Sequence, residues 1–152
     1  MSASPYHRIL VGWDASPASH QALATALTLA DGDGVVIARA VLTPAQHTET
    51  GGEQHRDLDA QRRWLSAEYD KALRAGATHG ARVRLEWGED TDIPRDLDGC
   101  AHDHGCDLIV LGRHGEDSHL RVSGLGPVAR TLVHSTRLPV LLVSPPESGQ
   151  SE

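Results

Sequence analysis

What most constrains this chain is an alternation of short aliphatic runs with stretches of helical period. Arg8-Ile-Leu-Val-Gly-Trp13 is nearly continuous in apolar character, the pattern of a strand covered on both faces in a parallel sheet. Ser16 then offers an N-cap and Pro17 a first helical residue, after which Ala22, Leu23, Ala26, Leu27 and Ala30 recur at three-to-four spacing. Asp31-Gly-Asp-Gly34 stops that helix, and Val35-Val-Ile-Ala-Arg-Ala-Val41 reads as a second strand. A β-α-β unit is complete by residue 41.

The alternation continues to the end of the chain. Residues 43–52 are polar and aperiodic, a surface loop before a long helix over about 53–78 in which Leu58, Trp64, Leu65, Ala72 and Leu73 supply apolar contacts. Arg82-Val-Arg-Leu-Glu-Trp87 alternates and predicts a strand with one wetter face, as an edge strand has. A third helix follows over about 93–104, closed by Gly105. Cys106-Asp-Leu-Ile-Val-Leu-Gly112 is the strongest buried-strand signal and runs into a Gly- and His-rich loop, 113–126. A short helix over about 127–134 precedes the last strand, Leu138-Pro-Val-Leu-Leu-Val143.

Five strands alternating with four helices give an α/β fold, a doubly wound parallel sheet, because each parallel connection needs a crossover helix. With strand order 3-2-1-4-5, the order reverses between the first and fourth strands, and ligands of such sheets bind beyond the strand carboxyl ends at that point. Topology alone therefore nominates the turns at Trp13-Asp14 and at Gly112-Arg-His-Gly115. The 152 residues accommodate one domain, expected over 6–144, with flexible ends at 1–5 and 145–152.

Composition narrows the function. A net charge of −7 argues against broad phosphate-backbone contact, so nucleic acid is not an expected partner. Two cysteines, no signal-peptide pattern and aliphatic runs of only four residues (108–111 and 140–143) point to a reducing, cytoplasmic setting without a membrane span. With 3% aromatics and no Phe, the core should be aliphatic and built partly on small residues. The charge is also uneven: Arg113, Arg121, Arg130 and Arg137 against Glu116 and Asp117 make 112–137 locally basic, which suits a small anion.

Gly112-Arg-His-Gly115, followed by Gly124-Leu-Gly126 at a helix start, supplies small residues that let backbone N–H groups approach a phosphate, aided by the helix dipole. Neither a GxxxxGK[ST] loop nor a GxGxxG turn after the first strand is present, which disfavours P-loop NTPases and dinucleotide oxidoreductases. Ile9-Leu-Val-Gly-Trp-Asp14 with Ser16, then Asp107-Leu-Ile-Val-Leu-Gly112-Arg-His114-Gly115, then Gly126-Pro-Val-Ala-Arg130 and Pro139-Val-Leu-Leu-Val143 form an ordered set covering nearly the whole chain. In these residues the sequence resembles the universal stress protein family, whose pattern after strand four is G-x2-G-x9-G-(S/T).

The resemblance implies an adenine nucleotide alpha hydrolase-like, Rossmann-like fold. It also implies a stress-response role, with ATP or a related adenine nucleotide, with or without Mg2+, in the crevice between strands one and four. Carried over, it implicates Asp14, Val41, Gly112, Arg113, His114, Gly115, Gly126, Pro127 and Val128 as nucleotide contacts. It further implies a homodimer through the last strand, Pro139 to Val143; pairing would also protect an apolar edge. Two departures stand out. Ten residues separate Gly115 from Gly126 where the pattern has nine, and Pro127 replaces the hydroxyl residue, removing an O–H and a backbone N–H. These departures keep open a family member that does not bind ATP and acts as a dimeric interaction module, or a weak nucleotide hydrolase. Asp14 also has a plain reading as a turn residue.

No G-x-S-x-G elbow or H-E-x-x-H motif is present, so no catalytic residue is assigned, and slow ATP hydrolysis is the most enzymatic activity expected. Cys100-Ala-His102-Asp-His104-Gly-Cys106 puts four potential metal ligands in seven residues. Residues two apart on a helix lie about 200° apart around its axis, so Cys100, His102 and His104 do not converge there, and a structural role without metal is the expectation.

Overall fold

A computed structural model describes residues 6–30, 32–43, 58–76, 81–113 and 126–145. The elements run β1 (Arg8–Gly12), α1 (Pro17–Ala30), β2 (Val35–Leu42), α2 (Leu58–Ala75), β3 (Arg82–Glu89), α3 (Ile93–Asp103), β4 (Leu108–Gly112), α4 (Pro127–Ser135) and β5 (Val140–Val143). All pairings are parallel and the order is β3-β2-β1-β4-β5, so β1 and β4 flank the reversal as expected. The strand reading Arg82 to Trp87 continues to Glu89, where Gly88 and Glu89 still pair with Val41 and Leu42. The fourth and fifth strands begin two residues later than expected, at Leu108 and Val140. Of the expected second helix, 53–57 and 77–78 lie outside the described residues.

The sheet is covered on both faces, which is why its strands are continuously apolar. Ile9, Val11, Val36, Ala38 and Val110 point to one face with Ala22, Leu23, Ala26 and Leu27 of α1 and Leu65 and Tyr69 of α2. Leu10, Ile37, Ile109 and Leu111 point to the other with Leu97, Cys100 and Ala101 of α3 and Ala129 and Leu132 of α4. The alanines replace the missing aromatics: α1 presents Ala18, Ala22, Ala26 and Ala30 to the core, all buried. The small Ala faces leave little gap between helix and sheet, preserving the dense packing a core needs.

Local chemistry sets the helix ends. Ser16 Oγ accepts the Ser19 N–H at 3.1 Å and caps α1, as read from the sequence. At the end of α3 the Cys106 N–H donates to Ala101 O at 2.8 Å and the Gly105 N–H to His102 O at 3.1 Å. This is a Schellman closure, and it requires the left-handed Gly105, φ +64°. The cap itself is His104, with Gly105 one position beyond. Both cysteines are buried thiols without a disulfide; burial pushes each up to about 11, so neither is a reactive thiolate at neutral pH. Among the described residues no helix is long and apolar enough to cross a membrane.

Candidate functional site

At the carboxyl ends of β1, β2 and β4 a crevice of about 760 Å³ opens over the strand reversal. That volume falls in the range of about 300–1,000 Å³ typical of small-molecule sites. Its lining includes Asp14, Val41, Gly112, Arg113, Gly126, Pro127 and Val128, so seven of the nine residues singled out from the sequence surround one space. The other two, His114 and Gly115, lie outside the described residues.

The β1–α1 turn is tightly built. Asp14 Oδ1 accepts the Ser16 N–H at 2.9 Å, the turn role that an Asp before Ser-Pro commonly fills. Ser19 Oγ donates to Ser16 O at 3.0 Å and lies 3.4 Å from the Asp14 N–H. Between them Ala15 takes φ +64°, a conformation that costs a non-glycine residue about 1–2 kcal/mol. The surrounding bonds over-determine that geometry, holding Asp14 at the crevice edge.

Opposite this turn, the Arg113 N–H donates to Val143 O at 2.9 Å and the Gly126 N–H donates to Arg113 O at 2.7 Å. These bonds clasp Arg113 and Gly126, with twelve positions between them in the sequence, to each other and to β5. Gly126 caps α4 in extended conformation with no side-chain cap bond, and Pro127 occupies the first helical position, as the motif predicts. The positive end of the α4 dipole thus faces the crevice, with no side-chain acceptor for it among the described residues.

Several lining residues escaped the sequence reading. Trp64, expected to pack inward, is 44% exposed and stands at the crevice instead. Its neighbour one turn earlier, Gln61, also lines the space, and its Nε2 is the buried side-chain polar atom left without a hydrogen-bond partner among the described residues. Trp13 Nε1 donates to Leu65 O at 3.2 Å and so pins this stretch of α2 over β1.

Arg39 is a further addition. Its Nε and Nη2 donate to the two oxygens of Asp96 at 2.8 and 3.0 Å, and Glu86 lies 3.8 Å from Nη1. Hydrogen bonding to Asp96 raises its pKa further above the ordinary arginine value, against the opposing effect of burial. Glycine at position 88 gives the pair its room: a Cβ there would sit 2.5 Å from Asp96 Oδ2 and 2.7 Å from Arg39 Nη2, so these side-chain ends would have to shift. One charged residue inside the apolar run 35–41 was the available signal for this site.

A family model for universal stress proteins matches residues 5–144. The chain belongs to the universal stress protein family. Its fold agrees with those of solved universal stress proteins. One from Burkholderia pseudomallei is 26% identical with a TM-score of 0.70, covering 95% of this chain and 100% of that one. A universal stress protein solved in complex with cAMP is 23% identical with a TM-score of 0.67, again covering 95% and 100%. The protein UspA from Lactobacillus plantarum is 24% identical with a TM-score of 0.62, covering 94% and 99%. No curated protein matches the chain.

Proposed function

We propose that this universal stress protein binds an adenine nucleotide in the crevice between β1 and β4. The observation that carries the reading is the convergence of Asp14 and Val41 with both ends of the glycine-rich motif on one cavity at the strand reversal. The orphaned Nε2 of Gln61 adds a donor awaiting an acceptor such as a base nitrogen or sugar oxygen, and Trp64 an aromatic face for a base. The α4 N-terminus and Arg113 supply positive potential for phosphate. A structural relative solved with cAMP supports an adenine nucleotide as ligand class.

ATP is the first candidate, with Mg2+ held through its phosphates; the machinery for more than slow hydrolysis is not assigned. Pro127 favours the second reading, an interaction module that does not bind ATP. Two hydrogen bonds to a charged phosphate are worth about 1.5–3 kcal/mol each, so their loss weakens binding by two or more powers of ten. A ligand with a single phosphate, as in cAMP, has less need of them. A homodimer through β5, in the cytoplasm, completes the reading: β5 is an edge strand and Leu141 on it is 37% exposed.

Isothermal titration of the wild type and of Pro127→Ser with Mg-ATP, ATP, cAMP and GTP tests this. Adenine nucleotides should release heat where GTP does not, and Pro127→Ser should tighten ATP at least tenfold. Absence of heat from every nucleotide in both proteins refutes the nucleotide reading.

A further inference from the structure

The Cys- and His-rich stretch at the end of α3 is not used by the crevice. Cys100, His102 and His104 together do not converge, as their two-residue spacing requires. Cys100 and His104, four residues apart, share one face of the helix end, where the His104 N–H donates to Cys100 O at 3.0 Å. Glu86 of the edge strand β3 faces them. One ligand atom from each of Glu86, Cys100 and His104 lies within 4.8 Å of the other two.

We propose that Glu86, Cys100 and His104 form a three-ligand site for a borderline-soft divalent cation, Zn2+ foremost. The donor set is one carboxylate, one thiolate and one imidazole, a combination zinc accepts, with a solvent molecule as fourth ligand. Glu86 Oε1 and His104 Nε2 are 3.2 Å apart. Tetrahedral bonds of about 2.0–2.1 Å to oxygen and nitrogen put two such ligands about 3.3 Å apart, so this edge already has coordination geometry. Cys100 is 4% exposed, whereas the Glu86 and His104 side chains are each 25% exposed, which leaves the cation a path from solvent.

The surroundings hold the ligands in place. Arg84 Nε forms an ion pair with Glu86 Oε2 at 3.0 Å, while Oε1 faces the imidazole. Arg8 Nε donates to His104 O at 2.7 Å and fixes the helix end. Of the two guanidinium groups beside Glu86, that of Arg39 is answered by Asp96, and that of Arg84 is half exposed. Arg84 Nη2 also lies 3.4 Å from His104 Nδ1. Coordination at Nε2 moves the ring hydrogen to Nδ1, so that contact opens as the metal enters. The thiol proton of Cys100 leaves to solvent, and carboxylate plus thiolate then balance the dication. Bound metal would clasp the edge strand β3 to the end of α3.

The test is titration of the metal-free full-length protein with Co2+ and with Zn2+. Co2+ should produce a thiolate-to-metal charge-transfer band and tetrahedral d–d bands, and Zn2+ should displace it at one ion per chain. Zn2+ at 100 times its Kd should raise Tm by about 8 °C for a chain of this size. Cys100→Ser, His104→Gln and Glu86→Gln should each weaken Zn2+ at least tenfold, while His102→Gln and Cys106→Ala leave it unchanged. Should Cys100→Ser not fold, the two variants at the partly exposed positions carry the same test. A Co2+ spectrum without the thiolate band, or Zn2+ affinity unchanged in His104→Gln and Glu86→Gln, overturns the proposal.

Discussion

The Arg39–Asp96 pair joins β2 to the first turn of α3 at the edge of the crevice, and removing one partner should expose its worth. The side chains are 18% and 10% exposed and make two parallel hydrogen bonds of 2.8 and 3.0 Å. Breaking a fully buried pair from one side costs about 3–5 kcal/mol, whereas an exposed pair is worth about 0.2–1. Glu86 at 3.8 Å remains as a fallback partner, so Asp96→Ala should cost about 2–3 kcal/mol, between those limits. The helical gain of Ala and the loss of an acidic group from the first turn of α3 are each about 0.5 kcal/mol and oppose one another. At about 2–4 °C per kcal/mol for a chain of this length, Tm should fall by roughly 4–12 °C. Arg39→Met should cost a similar amount, because it strands the carboxylate. The double variant should recover most of the loss, and a double-mutant cycle by urea denaturation should give a coupling of at least about 1.5 kcal/mol. A second readout has the opposite sign: in Asp96→Ala the Arg39 charge at the crevice is neutralised only by the more distant Glu86, so an anionic nucleotide should bind more tightly. A coupling below about 0.5 kcal/mol, the scatter of independent sites, would refute the reasoning.

Three shorter predictions accompany it. Burial, with a smaller push from Asp70, raises the Tyr69 phenol from 10.0 to about 12. The unfolded chain therefore ionises first, and the stability this residue contributes is intact below pH 10 and lost as pH climbs from 10 toward 12; denaturation across that window should show a slope that flattens in Tyr69→Phe. Trp13→Phe removes the bond to Leu65 O and some buried volume, and should lower stability by about 2 kcal/mol and Tm by roughly 4–8 °C. Leu141→Glu should convert a wild-type dimer into a monomer in light scattering with the far-UV circular dichroism unchanged; a monomeric wild type would dismiss the β5 interface.

The fold was legible because its signals are backbone signals. Runs such as Leu108 to Leu111 have few stable homes other than a doubly covered strand, and Ser16-Pro17 and Gly105 punctuate helices for reasons internal to the chain. Polar ends carried less: β3 continues through Gly88-Glu89 because β2 offers it partners, which no local pattern announces. The crevice was half legible. Motif residues gathered as topology requires, but Gln61 and Trp64 reach it from α2, which is joined to the end of β1 by the Trp13–Leu65 bond across 52 positions that no local pattern links. Arg39 was visible as a charge inside an apolar strand, yet its partner Asp96, 57 positions away, was not. Helical spacing separates His102 from Cys100 and His104, but it carries no sign of the carboxylate that β3 brings to the latter two.

The clasp between Arg113 and Gly126 has a consequence for how this chain tolerates change. A hydrogen bond of 2.7 Å sets Gly126, at the start of α4, directly against Arg113 at the end of β4, so α4 is placed by its own end and not by how many positions the sequence puts between the two. For a flexible chain joined at fixed ends, going from eleven to twelve residues adds less than about 0.1 kcal/mol of closure entropy. The extra residue relative to the family spacing is thus thermodynamically silent for the scaffold. Selection can lengthen, shorten or rewrite the sequence between Arg113 and Gly126 to suit a new ligand while the strands and α4 stay where they are.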